Sequence, residues 1–417
     1  MYTFKVMLHP NNKQRTKILH TMNKCIECQN IIYDILDGYI KRNETIPSCS
    51  DIRKMFTKIK KQKDDEVIKL RESMTKKEII LNHLDTLFYD VSNDALKQTV
   101  KDTYNAFVRY FKKIAKNPNK KSYKDRKKSF YIDPLKIKIT HNKVKLEKIA
   151  NSQKANRQVL NWIKLAEKNR IPTNVSYYNP RISYDGTNFY LTVGVDDEFA
   201  PKKQRNKVVN KTIGIDLNIA EIVTSEDIRY KQATKTKKYK KINRRKKRLQ
   251  RALSRKYLSC NPNNNNKNIT YSHNYKKNKD QIKKLDRRLL NLRDDCHKRI
   301  IDDIFKNPPS KIVIEDLYVK SMTDKKKRKK MTYKEKMAAK NIHTASFRKF
   351  ASILTNKANK YSITLIKANR YYASTKKCSC CGNRKVMEID ERTYKCEECN
   401  LVIDRDLNAA INLAQYK

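Results

Sequence analysis

The chain has 417 residues, with 97 Lys and Arg against 43 Asp and Glu, a formal net charge of +54 and only five glycines. That length supports several domains of roughly 100–200 residues each, and 38% hydrophobic residues with 24 tyrosines exclude a disordered basic tail. No apolar run exceeds three residues, which excludes a membrane-spanning helix or a signal-peptide core, so the expectation is an intracellular protein, cytoplasmic or nuclear, with no membrane partner.

Residues Tyr2, Phe4, Val6 and Leu8 alternate with polar neighbours, the period of a half-buried strand that His9 and Pro10 terminate. Ile18, Met22, Cys25, Ile26, Ile32, Ile35, Leu36 and Tyr39 then recur at helical spacing. Similar patterns continue to Ala115, which predicts helix through most of 12–115. From Phe130 the texture becomes short strands: Ile137–Ile139 and Val144–Leu146 around His141 and Asn142, then a hairpin of 181–184 and 189–193 about Asp185 and Gly186. With the opening strand these predict a small β domain into which the helical block is inserted.

A third texture starts at Lys211. Residues 212–216 form an apolar strand ending in Asp216, with 222–224 as its neighbour. Residues 231–256 hold fourteen Lys and Arg and no acid, with Tyr239, Ile242, Leu249, Leu253 and Tyr257 at helical spacing. An Asn-rich turn at 261–268 separates them from Ile282, Leu285, Leu289, Leu292 and Cys296, which predicts two antiparallel helices sharing one apolar seam. Residues 311–315 form a second apolar strand, ending in Glu315. A basic loop at 325–330, an amphipathic helix marked by Phe347, Phe350, Ile353 and Leu354, and a strand at 363–366 follow.

The excess positive charge calls for a polyanion. Nucleic acid fits better than a membrane surface, because the basic residues recur along the whole chain. AT-rich codons would also enrich Lys, Asn, Ile and Tyr, so part of the excess has that second source. Ten cysteines in such a chain point to reduced thiols or metal ligands instead of a disulfide framework. Cys378 and Cys381, then Cys396 and Cys399, form two C-x-x-C turns that can close a tetrahedral site, so one structural zinc ion is expected. Gly382 and Asn400, one after each turn, tolerate left-handed backbone. Cys380 is too close to Cys378 to be a fellow ligand, and Cys25 and Cys28 read as core.

Asp216, Glu315 and Asp406 make the second constellation. The first two emerge at the polar ends of apolar strands; the third lies in Asp404-Arg405-Asp406, which opens the last helix, with Leu407, Ala410, Ile411 and Leu413 expected against the sheet. Asp404 is the better helix cap, leaving Asp406 free. Three oxygen ligands without His or Cys favour Mg²⁺ or Mn²⁺. Two such ions about 4 Å apart can activate water and stabilise the leaving oxygen of a phosphodiester.

Taken together, GIDLN at 214–218, VIEDL at 313–317, ASTKKCSCCG at 373–382, CEEC at 396–399 and DRDLNAAINLA at 404–414 resemble the nuclease half of the transposon-encoded TnpB proteins and their Fanzor relatives. TFKVMLHPNNKQ at 3–14 and YKDRKKSFYID at 123–133 resemble that family's opening strand and basic loop. Asn218 and Asn400 stand where many relatives have Gly. The resemblance implies an RNA-guided DNA endonuclease related to type V CRISPR effectors, with guide RNA and target double-stranded DNA as partners, and a monomeric ribonucleoprotein is favoured. The implied fold is multidomain α/β: a β-barrel (1–11 and 116–208) interrupted by a helical recognition block (12–115), then an RNase H-like (RuvC) nuclease (209–374 and 402–417) carrying the basic helical pair (231–305) and a zinc ribbon (375–401). It also implies Asp216, Glu315 and Asp406 as the catalytic triad, and a ribbon that helps load the target strand. Lys237, Lys238, Arg244, Arg245, Lys246, Lys247 and Arg248 are candidate phosphate contacts, and Tyr371 and Tyr372 candidate stacking platforms, although a solvated charged face and ordinary packing are alternatives. A nuclease-inactive or RNA-independent DNA-binding regulator of transposition is the competing function. A strand-joining transposase is less consistent with acids in the order Asp, Glu, Asp.

Overall fold

The computed structural model describes residues 1–72, 74, 87–125, 127–148, 159–201, 206–260, 271–317, 332–387 and 391–416. The expected turn at 261–268 and the basic loop at 325–330 lie outside the described residues. The chain is a mixed α/β protein of two units, Met1–Lys202 and Lys203–Lys417. Among the described residues no helix is long and apolar enough to cross a membrane.

In the first unit, β1 (Tyr2–His9) buries Phe4, Val6 and Leu8, as the alternation predicts. Helix α1 (Asn12–Lys41) starts at a capping box: Asn11 Oδ1 accepts from Gln14 N and Gln14 Oε1 from Asn11 N, both at 2.9 Å. The expected helical stretch resolves into α1, α2 (Cys49–Glu72) and α3 (Asn93–Phe111), and helix ends at Phe111, short of Ala115. Seven strands follow the order β2-β6-β7-β1-β5-β4-β3: β2 (Lys128–Tyr131), β3 (Lys138–Ile139), β4 (Lys143–Lys145), β5 (Trp162–Leu165), β6 (Tyr178–Tyr184) and β7 (Phe189–Val195), with β1 between β7 and β5. All pairs are antiparallel. The β6–β7 hairpin turns at Gly186, with φ +95°, where Asp185 accepts from Thr187 N and Asn188 N. One buried core runs from Val6 through Met22, Cys25, Cys28 and Leu96 to Leu191, so helices and sheet share it, and both cysteines are packing residues.

In the second unit, β8 (Val209–Leu217), β9 (Glu221–Thr224) and β10 (Arg229–Lys231) form an antiparallel meander; β11 (Pro309–Glu315) and β12 (Thr364–Ala368) add on the other side of β8, both parallel. Parallel neighbours need long crossovers, and helices supply them. Between β10 and β11 run α4 (Lys237–Cys260) and α5 (His273–Ile304); between β11 and β12 run α6 (Tyr333–Ala345) and α7 (Phe347–Tyr361). The basic helix therefore starts at Lys237, not at residue 231: Lys231 belongs to β10, where it lies opposite Glu221 of β9 in the ladder. The α4–α5 seam comprises Tyr239, Ile242, Leu285 and Leu289, with Leu249 and Leu292 packed against it. Cys296 departs from the expected seam and packs on the sheet core instead, because the helix by then runs over the sheet.

Both faces of this sheet are covered. Ile300, Ile301, Phe347, Phe350 and Leu354 from α5 and α7 cover one face. The last helix, α8 (Arg405–Ala414), covers the other, with Leu413 against Val313 and Ala368. Its buried residues are Asn408, Ala409, Ala410, Asn412 and Leu413, whereas Leu407 and Ile411, expected against the sheet, are only half-buried. Two amides replace two aliphatics because this face also holds a loop. Gly214 of β8 allows the close approach: a Cβ there would lie 2.0 Å from Ala410 O and 2.5 Å from Ala414 N.

Candidate active site and metal centre

Asp216 is the penultimate residue of β8 and Glu315 the last of β11. Because the strands are parallel, their C-terminal ends share one sheet edge. Ile314 opposite Ile215 sets the two acids side by side. In open α/β sheets ligands gather at the carboxyl ends of strands where the strand order reverses, and the chain reverses here between β8 and β11. Asp406 arrives from α8. Asp404 caps that helix, accepting from Asp406 N at 2.9 Å and Leu407 N at 3.1 Å, as the sequence predicts.

The cluster is electrostatically costly. Asp216 is 4% exposed. Burial first, and then the charges of Glu315 and Asp406, push its carboxyl well above the usual range, opposed by a hydrogen bond from Asn218 Nδ2. Burial likewise raises Glu315; Ser374 Oγ, donating to Glu315 Oε1 at 2.7 Å, opposes it and Asp406 adds to it. Asp406 does not stand free: Arg405 Nε lies 3.4 Å and an Arg392 nitrogen 3.5 Å from its oxygens. Asp404 sits below the usual carboxylate range despite its burial, held by Leu407 N and Arg229. Asp216 is buried and Glu315 and Asp406 are half-buried, and a divalent cation held by these oxygens would relieve both desolvation and mutual repulsion.

The four expected cysteines come together. Their sulfurs all lie within 4.8 Å of one another. Cys378 and Cys399 sulfurs are 3.6 Å apart and those of Cys381 and Cys396 3.5 Å. A tetrahedral zinc with Zn–S near 2.3 Å requires S···S of about 3.8 Å, so the donor set fits that ion. The left-handed turns fall at Gly382, φ +82°, and Asn400, φ +54°. Against burial, N–H groups of Cys381 and Cys380 draw the Cys378 thiol down to about 6, favouring the thiolate. Strands β13 (Thr393–Lys395) and β14 (Val402–Asp404) flank the second pair, and Tyr394, 0% exposed, is the centre of this small core. Exposed Cys380 stands outside the group.

On α4, Lys237, Lys238, Arg244, Arg245, Lys247 and Arg248 are exposed, whereas Lys246 is half-buried and pairs with Asp286 at 2.7 Å. A cleft of about 590 Å³ between α4, α5 and α6 is lined by Lys235, Lys240, Lys246, Lys247, Arg293 and Lys340, among others. The two tyrosines differ: Tyr371 is 89% exposed. Tyr372 packs edge-on to Tyr416 and donates its hydroxyl to Asn412 O at 3.0 Å. Ser374, Arg392 and Asn218 at the acids carry no spacing signal; only the three-dimensional arrangement assigns them.

Residues 190–326 match the family model described as "Probable transposase" (OrfB_IS605), and residues 347–413 the model described as "Cas12f1-like, TNB domain". The "TnpB-like protein L79" of Acanthamoeba polyphaga mimivirus is 33% identical over 132 residues, 32% of this chain but only 24% of that protein. A "Putative RNA-guided DNA endonuclease" of Streptomyces pristinaespiralis is 24% identical over 325 residues, 78% of this chain and 71% of its own. The solved structure titled "Cryo-EM structure of the Cas12f1-sgRNA-target DNA complex" superposes with a TM-score of 0.48 at 14% identity, covering 100% of this chain and 99% of that one. The two matched stretches take in Asp216, Glu315, Asp406 and the four cysteines, and over them the chain is similar to the TnpB family.

Proposed function

We propose that the chain is an RNA-guided DNA endonuclease, associated with a transposable element, that cleaves double-stranded DNA complementary to a bound guide by Mg²⁺-dependent phosphodiester hydrolysis beside a short motif. The observation that carries this reading is the convergence of Asp216, Glu315 and Asp406, far apart in sequence, at one sheet edge. The order β10-β9-β8-β11-β12, antiparallel then parallel, supports an RNase H-like (RuvC) domain. In the first unit the antiparallel strands around α1–α3 are consistent with a barrel bearing a recognition block.

The three carboxylates supply oxygen ligands. Mg²⁺, when bound, lowers the pKa of an attacking water and stabilises the leaving oxygen. Arg405 and Arg392, paired with Asp406, place positive charge beside the position of the scissile phosphate. The exposed face of α4 holds backbone phosphates, and Tyr371 offers a ring for an unpaired base. A guide-target duplex of about 20 bp brings about 40 phosphates, a scale that matches a net charge of +54. The Cys378, Cys381, Cys396 and Cys399 site takes a structural zinc with no open coordination position.

The test is cleavage by purified protein and guide RNA in Mg²⁺. Asp216→Asn, Glu315→Gln and Asp406→Asn should each bring cutting below detection while RNA and target binding persist. Cutting retained in all three variants would remove the acids from the reaction; wild-type binding without cutting would leave a DNA-binding regulator.

A further inference from the structure

Among the described residues Glu315 receives one side-chain hydrogen bond, from Ser374, and that serine is itself anchored. Its side chain is 3% exposed. Its carbonyl accepts from Asn412 Nδ2 at 2.8 Å, and the same amide group donates to Lys377 O at 2.7 Å. Asn408, one helical turn earlier, also donates to Lys377 O at 2.7 Å, and its Oδ1 accepts from Ser379 N at 2.9 Å. Both asparagines are 0% exposed, and among the described residues Asn412 Oδ1 has no hydrogen-bond partner. An aliphatic side chain would avoid that orphaned oxygen, so the amides at these positions serve the loop more than the core. The loop they grip begins at the residue touching Glu315 and ends in the first zinc knuckle, at Cys378. The helix supplying the grip also carries Asp406 in its first turn.

We infer that Ser374 is a positioning residue for Glu315, and that the Asn408–Asn412 clasp couples it to the zinc site, so that zinc occupancy sets how tightly the acid cluster binds a divalent ion. The inference rests on the reading of Asp216, Glu315 and Asp406 as a metal site. Removing the hydroxyl frees the Glu315 carboxylate to rotate. Hydrogen bonds that orient a metal-ligating carboxylate typically govern about 10–100-fold in affinity.

The experiment titrates Mn²⁺ into the full chain by calorimetry, with zinc content measured in parallel and Asp216→Asn defining the site. Ser374→Ala should bind Mn²⁺ about 10-fold more weakly with zinc content unchanged, and Ser374→Thr, which keeps the hydroxyl, should bind like wild type. Stripping zinc from the wild type should weaken Mn²⁺ binding as well. In Ser374→Ala the same stripping should add little, because both changes act through one contact. Unchanged Mn²⁺ affinity in Ser374→Ala, or in zinc-stripped wild type, overturns the inference and leaves the metal-site reading standing. A wild-type chain with no Asp216-dependent Mn²⁺ binding overturns that reading and the inference with it.

Discussion

Replacing Gly214 by alanine puts a methyl carbon 2.0 Å from Ala410 O and 2.5 Å from Ala414 N, where side-chain carbons essentially never come within 3.0 Å of another atom. The obstructing atoms are backbone of α8, so no rotamer change relieves the clash and the helix must retreat by about 1 Å. Overpacking of this kind costs about 1–3 kcal/mol. For a unit of this size that is about 2–12 °C in the melting transition. The larger effect is chemical. Helix α8 carries Asp406 in its first turn and Asn408 and Asn412 beyond it, so a retreat moves one acid away from Asp216 and Glu315 and loosens the loop holding Ser374. A displacement of about 1 Å at a reacting centre can cost about 100-fold in rate. Single-turnover cleavage and thermal unfolding of Gly214→Ala measure both. Wild-type cleavage together with wild-type stability would refute the packing of α8 on β8.

Cys396→Ser should eliminate bound zinc and expose Tyr394 to solvent, read as metal content by mass spectrometry and as faster amide exchange confined to residues 376–404. His297, buried edge-on to Phe350, is held below its ordinary pKa by burial, with Arg293 and Lys349 opposing its charge and Asp294 and the Ala345 carbonyl favouring it. A depressed histidine is neutral when folded, so its contribution is present above about pH 6.5 and is lost as pH falls below that; His297→Leu should flatten the decline in urea midpoint between pH 7.5 and 5.5. Tyr371→Ala should weaken single-stranded DNA binding by about 1–3 kcal/mol without changing stability. Tyr372→Ala should do the reverse, because its ring and hydroxyl are already engaged by Tyr416 and Asn412.

The acids at strand ends were readable because an apolar triplet followed by a carboxylate is a local pattern, and Asp216 and Glu315 both have it. Asp404 as a cap and the clustering of the four cysteines were readable for the same reason: capping and C-x-x-C turns are fixed within a few residues. Contacts set by distant segments left no such trace. Gly214 looks like any small strand residue until α8 is laid across it. Ser374, Asn408 and Asn412 are ordinary polar letters whose bonds span 59, 31 and 38 residues. Lys231 read as helix because its charge continued the basic run, yet ladder bonds to β9 overrode that local pattern. Strand β13 was missed since three residues, Thr393 to Lys395, are too few to show a period.

The most direct test of the central claim is guide exchange. One preparation of the protein is loaded with either of two RNAs differing only in the guide segment, and each complex is offered both matching DNAs in Mg²⁺. The account predicts that each complex cuts only its own match, that cutting stops with chelator, and that Asp216→Asn binds the matching DNA without cutting it. Cleavage that ignores the guide, or that survives in Asp216→Asn, would contradict it.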